Sequence, residues 1–304
     1  MNKYLSLTKR NCLVFLRDRS SVFFSLLSML IVMLLTSTFL GSMNVNSITG
    51  LLEEYGGMRD TLSDTANAKE LIRYWTLAGI LVVNSLTVSL TVIGTMITDT
   101  AENRLERFYT APISKSLVAL SYVTAAIVIG TLFCLLTLVV ALIYIVCTGG
   151  TLLSLPAILK IVFYIFMNVC VFSVIMYLAA LFVKSSSAWS GIATIVGTLV
   201  GFLGAIYIPI GALPEKVGTV LTCLPILHGT SLMRKVCCES ILSKTFQGMP
   251  VEVIDIYQEE MGITLTMKNM EVSSVFQILF MVGCGVVAFM AVLFVAKWRT
   301  ISDR

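Results

Sequence analysis

The residues best equipped for chemistry crowd into one short stretch, Asp99-Thr-Ala-Glu-Asn-Arg-Leu-Glu-Arg-Phe-Tyr-Thr-Ala-Pro-Ile-Ser114. Glu102, Arg104, Glu106 and Arg107 offer ion pairs of both signs, and Leu105, Phe108 and Tyr109 share an apolar side. Asp99 with Glu102 three residues on has the form of a capping box that opens a short helix. Pro112 ends that helix, because the residue before a proline avoids the α region. Glu102 and Glu106 then lie one turn apart, where like charges repel, unless Arg104, Arg107 or a partner protein offsets them. The pattern predicts a rigid charged knuckle suited to carrying force from a soluble partner. The same residues also suit a plain solvated loop helix.

Elsewhere the chemistry is sparse. The chain has no G-x-x-x-x-G-K-[ST] phosphate loop, no G-x-S-x-G elbow and no H-E-x-x-H. The single histidine, His228, has no carboxylate or nucleophile at a fixed spacing and is expected to be a hydrogen-bonded structural residue. The eight cysteines form no C-x-x-C pair, which argues against a metal site. Cys223 is the expected partner if Cys237 or Cys238 forms a disulfide, and free thiols fit as well.

A second group is defined by breakers. Between Tyr207 and Thr230 an apolar stretch is interrupted by Pro209, Gly211, Pro214, Gly218, Pro225 and Gly229, which forbids one continuous span. A re-entrant pair of short helices fits, and broken backbone at membrane depth must border protein or a water-filled cavity.

The elements that position these groups follow from composition. Of 304 residues, 57% are hydrophobic and 12% charged, half the charged share of about 25% in soluble domains; the mean hydropathy is +0.94. A hydrocarbon core of about 30 Å needs roughly 20 apolar helical residues. Six runs qualify, at 21–41, 75–97, 117–146, 158–183, 188–208 and 272–296. Lipid demands internally bonded backbone, so these are helices, and the fold class is all-α: a polytopic membrane protein of one domain, 1–304. The span interiors carry no ionisable residue. Asn84, Ser85, Thr87, Ser89, Thr91, Asn168 and Ser173 are expected to bridge helices or line a weakly polar cavity, and Gly191, Gly197, Gly201 and Gly204 to permit close packing.

Of the 21 Lys and Arg residues, twelve fall inside and nine outside if both termini are cytoplasmic. That bias is weak, so the short basic flanks near Arg10, Arg104 and Lys184 decide, and they place both termini in the cytoplasm. The first apolar run is too long for a cleavable signal and is expected to stay as an anchor. Before it, residues 1–20 read as a basic amphipathic interfacial helix. Tyr4, Leu5, Thr8, Cys12, Phe15 and Leu16 fall on one arc, and Lys3, Ser6, Arg10 and Arg17 lie opposite.

This order of parts resembles the membrane subunit of ABC-2 type transporters. The most specific pieces are Glu102-Asn-Arg-Leu-Glu-Arg with Ala111-Pro-Ile-Ser, and Ile208-Pro-Ile-Gly-Ala-Leu-Pro followed by Leu224-Pro-Ile. The resemblance implies a plasma-membrane permease that exports a drug, an antibiotic peptide or a lipid, with polysaccharide export or a non-transporting immunity or signalling role as alternatives. It implies a second permease chain and a separate ATP-binding-cassette ATPase that binds the ATP and magnesium, leaving no cofactor or catalytic residue here. The loop 99–116 would couple to that ATPase through Glu102, Arg104, Leu105, Glu106, Arg107 and Pro112. The outer region 209–271 would close the exit at Pro209, Gly211, Pro214 and Pro225.

Overall fold

The computed structural model describes residues 3–35, 41–56, 60–105, 113–267 and 270–302. Helix α1 (Lys3–Arg17) meets α2 (Arg19–Leu35) at Asp18. The Asp18 carboxylate accepts bonds from the Ser21 backbone N–H at 3.1 Å and the Ser21 hydroxyl at 2.6 Å. These bonds cap α2 and hold the Asp18 carboxyl below its usual range. Then come α3 (Gly41–Tyr55), α4 (Thr61–Ala101), α5 (Lys115–Cys147), α6 (Leu155–Ala180) and α7 (Ser186–Leu203). A 3-10 turn (Ile210–Ala212) leads to α8 (Glu215–Leu221), α9 (Pro225–Thr245) and α10 (Val251–Glu260). Strands β1 (Thr266–Met267) and β2 (Met270–Glu271) pair antiparallel before α11 (Ser274–Ser302).

Five of these helices are long and apolar enough to cross a membrane: α4, α5, α6, α7 and the Ser274–Val295 part of α11. The expected span at 21–41 falls on α2, described as far as Leu35, and on residues 36–40, which lie outside the described residues.

The architecture is organised on α4. Asp60 starts it by accepting bonds from the backbone N–H groups of Leu62 (3.4 Å) and Ser63 (3.2 Å). Its 41 residues extend about 62 Å at 1.5 Å per residue, twice the depth of a hydrocarbon core. The expected span at 75–97 lies inside this helix, which begins 14 residues earlier at Thr61. Residues 61–74 include Asp64, Lys69, Glu70 and Arg73, so hydropathy ends there, but they hold no glycine or proline to stop a helix. Helices α1, α2, α3, α5, α6, α7 and α9 all pack against α4. Of its most apolar window 78% is buried, against 17% in α7 and in α11; α4 is the column and those two are periphery.

Two apolar cores stack along this column. One gathers Ala68–Leu86 of α4 with α3, the second half of α5, the first half of α6, and α9 and α10. The other gathers Val88–Ile97 with Leu7 and Phe15 of α1, the first half of α5, the end of α6, and Trp189. Polar pairs mark the seam. Asn84 Nδ2 donates to Thr137 Oγ1 at 2.9 Å, and the Ser89 and Ser173 hydroxyls bond at 3.0 Å. These are the helix bridges anticipated from the sequence, each worth about 0.6 kcal/mol in lipid.

Two of the four expected packing glycines are closely packed: an added Cβ would run into the Tyr207 ring at Gly201, and would sit 2.9 Å from Ile206 and 3.3 Å from Thr230 of α9 at Gly204. Gly191 and Gly197 face open space. A further close approach is at Gly94 of α4, where an added Cβ would sit 2.6 Å from Trp189 Nε1. Gly94→Val forces that buried indole away from α4 and is expected to cost about 1–3 kcal/mol by overpacking, read as a lower melting temperature of the purified chain. Gly50→Ala, at an open position of α3, leaves stability unchanged or raises it by up to about 1 kcal/mol.

Candidate functional site

The charged stretch singled out in the sequence begins at the foot of α4, and the structure revises how it is built. Asp99 closes a long helix instead of opening a short one. Asn103 adopts φ 56°, a left-handed conformation that asparagine tolerates. The Asn103 N–H then reaches Thr100 O at 3.1 Å, and the Arg104 N–H reaches Asp99 O at 2.8 Å. These are the two bonds of a Schellman stop. The expected capping box fails because the helix arrives at Asp99 unbroken, so its backbone N–H already has an intrahelical partner.

A carboxylate in a helix's last turn faces the negative end of the dipole, and Asp99 is buried as well. It is stabilised by groups from two other helices. Arg10 of α1 makes a bidentate pair, Nη1 to Oδ2 at 2.5 Å and Nη2 to Oδ1 at 3.1 Å. The Tyr122 hydroxyl of α5 donates to Oδ2 at 2.5 Å. Arg104 stands 3.7 Å from Oδ1 and pairs with Glu102. Beside this knot Asn11 Nδ2 donates to Ser121 Oγ at 3.0 Å, and the Tyr4 and Thr124 hydroxyls bond at 2.6 Å. Burial works against the Arg10 charge, but the bond to Asp99 and the field of Tyr122 and Asp99 outweigh it and raise the guanidinium pKa.

On α1, Thr8 and Phe15 of the apolar arc are buried against the protein, with Phe15 edge-on to Phe133 at 5.7 Å. Leu5 and Leu16 of the same arc are exposed on the chain's surface, and Arg10, from the opposite side, points in to Asp99. Helical periodicity ranks faces by apolarity alone and gives no weight to a distant carboxylate.

Of the residues expected to couple, Leu105 is buried in the core that holds Val88–Ile97, while the Glu102 and Arg104 side chains are about half exposed. Glu106, Arg107 and Pro112 lie outside the described residues. One further feature, beside the middle of α4, is a cleft of about 280 Å³ between α2 and α4, lined by Ser20, Phe24, Thr87 and Thr91.

At the other end of α4 the breakers serve as helix starts. Pro209 and Pro214 precede the 3-10 turn and α8, Gly211 presses against Glu260, and Pro225 is the first residue of α9. The expected short pair is unequal: α8 has 7 residues, and α9 has 21 and packs against α4, α6 and α11. His228 is structural, its Nε2 2.8 Å from Thr222 O and its ring 4.4 Å from that of Phe280. Cys223, Cys237 and Cys238 are free thiols, the first exposed and the others buried; about 18 Å of helix separates Pro225 from Cys237, well beyond disulfide reach.

Sequence reading missed Arg234. It was counted among the outer charges, yet it has no exposure. Its guanidinium lies 4.1 Å from the centre of the Trp75 ring. It donates to Met261 O at 3.0 Å and Ala205 O at 2.6 Å, and Trp75 Nε1 donates to Met261 O at 2.8 Å. Burial pushes its pKa down to about 9.

Two stability tests follow from these knots. Asp99→Asn leaves the partly buried Arg10 charge without a counterion and is expected to cost about 2–4 kcal/mol, with faster tryptic cleavage at Arg17 and Arg19 as α1 loosens. Arg234→Ala opens a cavity and leaves the Ala205 carbonyl unpaired. It should cost about 2–4 kcal/mol, seen as a drop in melting temperature larger than that of the exposed Lys244→Ala.

A comparison with curated proteins found no match. The family model of the ABC-2 type transporter matches residues 2–237, a region that runs from α1 into α9. It holds the Asp99 knot, the charged stretch and the whole of the column α4. The chain is an integral membrane protein and belongs to the ABC-2 type transporter family, as a membrane transport subunit.

Proposed function

We propose that this chain is the permease half of an ATP-driven exporter, driven from the foot of α4 by a separate ATP-binding-cassette ATPase. The observation that carries this reading is the Asp99 knot. It ties α1, α4 and α5 into one rigid base at the place where the charged stretch with Glu102 and Arg104 emerges. A push on that stretch is delivered to a helix about 62 Å long that touches most of the molecule. ABC-2 permeases usually work with such an ATPase, and the ATP and its magnesium belong to that subunit.

In this reading the chain crosses the plasma membrane six times with both termini in the cytoplasm, and a second permease chain completes the pathway. The cargo is apolar or amphipathic: a drug, an antibiotic peptide or a lipid. The Ser/Thr/Phe cleft between α2 and α4 supports that choice, since it is weakly polar and lined by no charged side chain. The segment 209–271, started by Pro209, Pro214 and Pro225, forms the outer closure.

The test is to co-express the chain with its ATPase, purify the complex and measure ATP hydrolysis with the wild type and with Glu102→Ala/Glu106→Ala. A complex that forms with wild type, and whose hydrolysis falls at least about tenfold or whose ATPase is lost in the double variant, supports docking at this stretch. A double variant that binds and hydrolyses as wild type does removes the stretch as the docking element. A fully coupled complex that moves none of these cargoes into vesicles overturns the exporter reading.

A further inference from the structure

The α6–α11 side of the molecule carries a feature that coupling does not use. Two cavities lie end to end along this helix pair. The first, about 510 Å³, is polar and is bounded by α6, α9, α10 and the start of α11; Lys160, Tyr164, Lys235, Glu239, Gln258 and Glu271 line it. The second, about 400 Å³, is apolar and lies between α6 and α11; Phe163, Met167, Val171, Ile278, Gly285 and Phe289 line it. The two share a register. On α6 the polar cavity takes residues 160 and 164, and the apolar one continues at 163, 167, 171 and 174. On α11 the sequence is Ser274, then 278, 282, 286 and 289. Both helices therefore run from the polar cavity into the apolar groove in the same direction.

Gly285 makes the groove possible. An added Cβ there would lie 3.3 Å from Val171, so the helices touch at this point and their larger neighbours stand apart as walls. From Phe163 to Val174 the groove is about 16 Å long, close to half of a 30 Å hydrocarbon core, which is the depth of one leaflet. Tyr164 sits at the boundary with its ring 5.6 Å from that of Phe163, as interfacial tyrosines do.

The charges in the polar cavity discriminate among headgroups. Lys235 is paired with Glu271 at 2.9 Å. Lys160 and Glu239 have no ion-pair or hydrogen-bond partner among the described residues, and both are exposed to the cavity. One unpaired cation and one unpaired carboxylate in the same polar chamber match a ligand that brings one anion and one cation. We propose that this composite groove binds a zwitterionic phospholipid with a primary ammonium. Its phosphate pairs with Lys160, its ammonium with Glu239, and an acyl chain lies along α6 and α11. The ammonium has three donors, which a carboxylate and the Gln258 amide oxygen can accept. The site stands on α6, α9 and α11 and is independent of the exporter reading.

The experiment uses the full-length chain, delipidated in detergent and titrated with dioleoyl phosphatidylethanolamine or dioleoyl phosphatidylglycerol, with bound lipids counted by native mass spectrometry. The expected result is one saturable phosphatidylethanolamine per chain, bound at least tenfold tighter than phosphatidylglycerol. Lys160→Glu and Glu239→Lys each weaken it at least tenfold, and the combined Lys160→Glu/Glu239→Lys swap recovers most of the loss. Val286→Trp, which fills the groove, weakens both lipids alike. Elution volume and melting temperature of these surface variants confirm that they fold. Equal binding of both lipids, insensitive to either charge reversal, means ordinary boundary lipid and overturns the site. A preference for phosphatidylglycerol that survives Glu239→Lys overturns the zwitterionic assignment, and so does a charge swap that fails to recover binding.

Discussion

A carboxylate at the C-terminal end of a buried helix is unfavourable twice over, through the helix dipole and through desolvation. Asp99 bears both penalties, and what offsets them sets the geometry of the molecule's lower half. The guanidinium comes from α1, the hydroxyl from α5 and the outer cation from Arg104. None is on the same helix, so satisfying Asp99 fixes three elements at once. Without this knot α1 would have only the Tyr4–Thr124 and Asn11–Ser121 bonds and its small buried set of Leu7, Thr8, Asn11 and Phe15 to keep it from lying free in the interface. The same rule, that polar groups in an apolar surround must be paired, operates at the seam through Asn84 and Ser89 and at the far end through Arg234. These three places join α4 to α1 and α5, to α5 and α6, and to α9 in turn.

The consequence is mechanical. A helix of ordinary spanning length could tilt within one core without disturbing the other. Here one continuous helix belongs to both cores, and the elements around it are shared out between them. Movement at its foot must either shift both cores together or break the hydrogen-bonded seam between them. Interiors packed to crystal density respond by switching between discrete arrangements more readily than by bending. A column held near its foot by Arg10–Asp99 and about a third of the way from its other end by Arg234 on Trp75 is the kind of element that transmits a displacement instead of absorbing it.

Much of this frame was legible in the sequence where apolarity was uniform. The expected span at 117–146 became α5 (Lys115–Cys147), and that at 158–183 became α6 (Leu155–Ala180), because apolar residues fill them almost throughout, Lys160 near the start of α6 being the one charge in either run. Breakers were equally readable, and Pro225 does begin a helix. The signal failed where burial is bought by a distant partner. Residues 61–74 looked like loop because charge interrupts hydropathy, yet Glu70 is buried and holds the Thr151 backbone N–H and hydroxyl, 81 residues away. Arg10 and Asp99 are 89 residues apart, so periodicity put one on a wet face and the other in a loop. Arg234 was counted as an outer charge because the ring that receives it, Trp75, lies in another helix. A charge next to an apolar run calls for a partner, but a single sequence does not say which.

The periphery is as informative as the column. Helices α7 and α11 are equally exposed, yet they expose different surfaces. On α11 the open side chains are large: Val275, Leu279, Val286, Val287, Met290 and Phe294, a surface that lipid tails cover without loss. On α7 a row of small residues, Ser190, Thr194, Gly197 and Thr198, faces out. Its hydroxyls are already bonded to their own helix, Ser190 to Ser186 O, Thr194 to Ser190 O and Thr198 to Thr194 O at 2.8–3.0 Å. Small residues in register give lipid little to grip and let another helix approach closely. With Gly191 and Gly197 open to space, α7 offers a seam that no helix of the described chain fills.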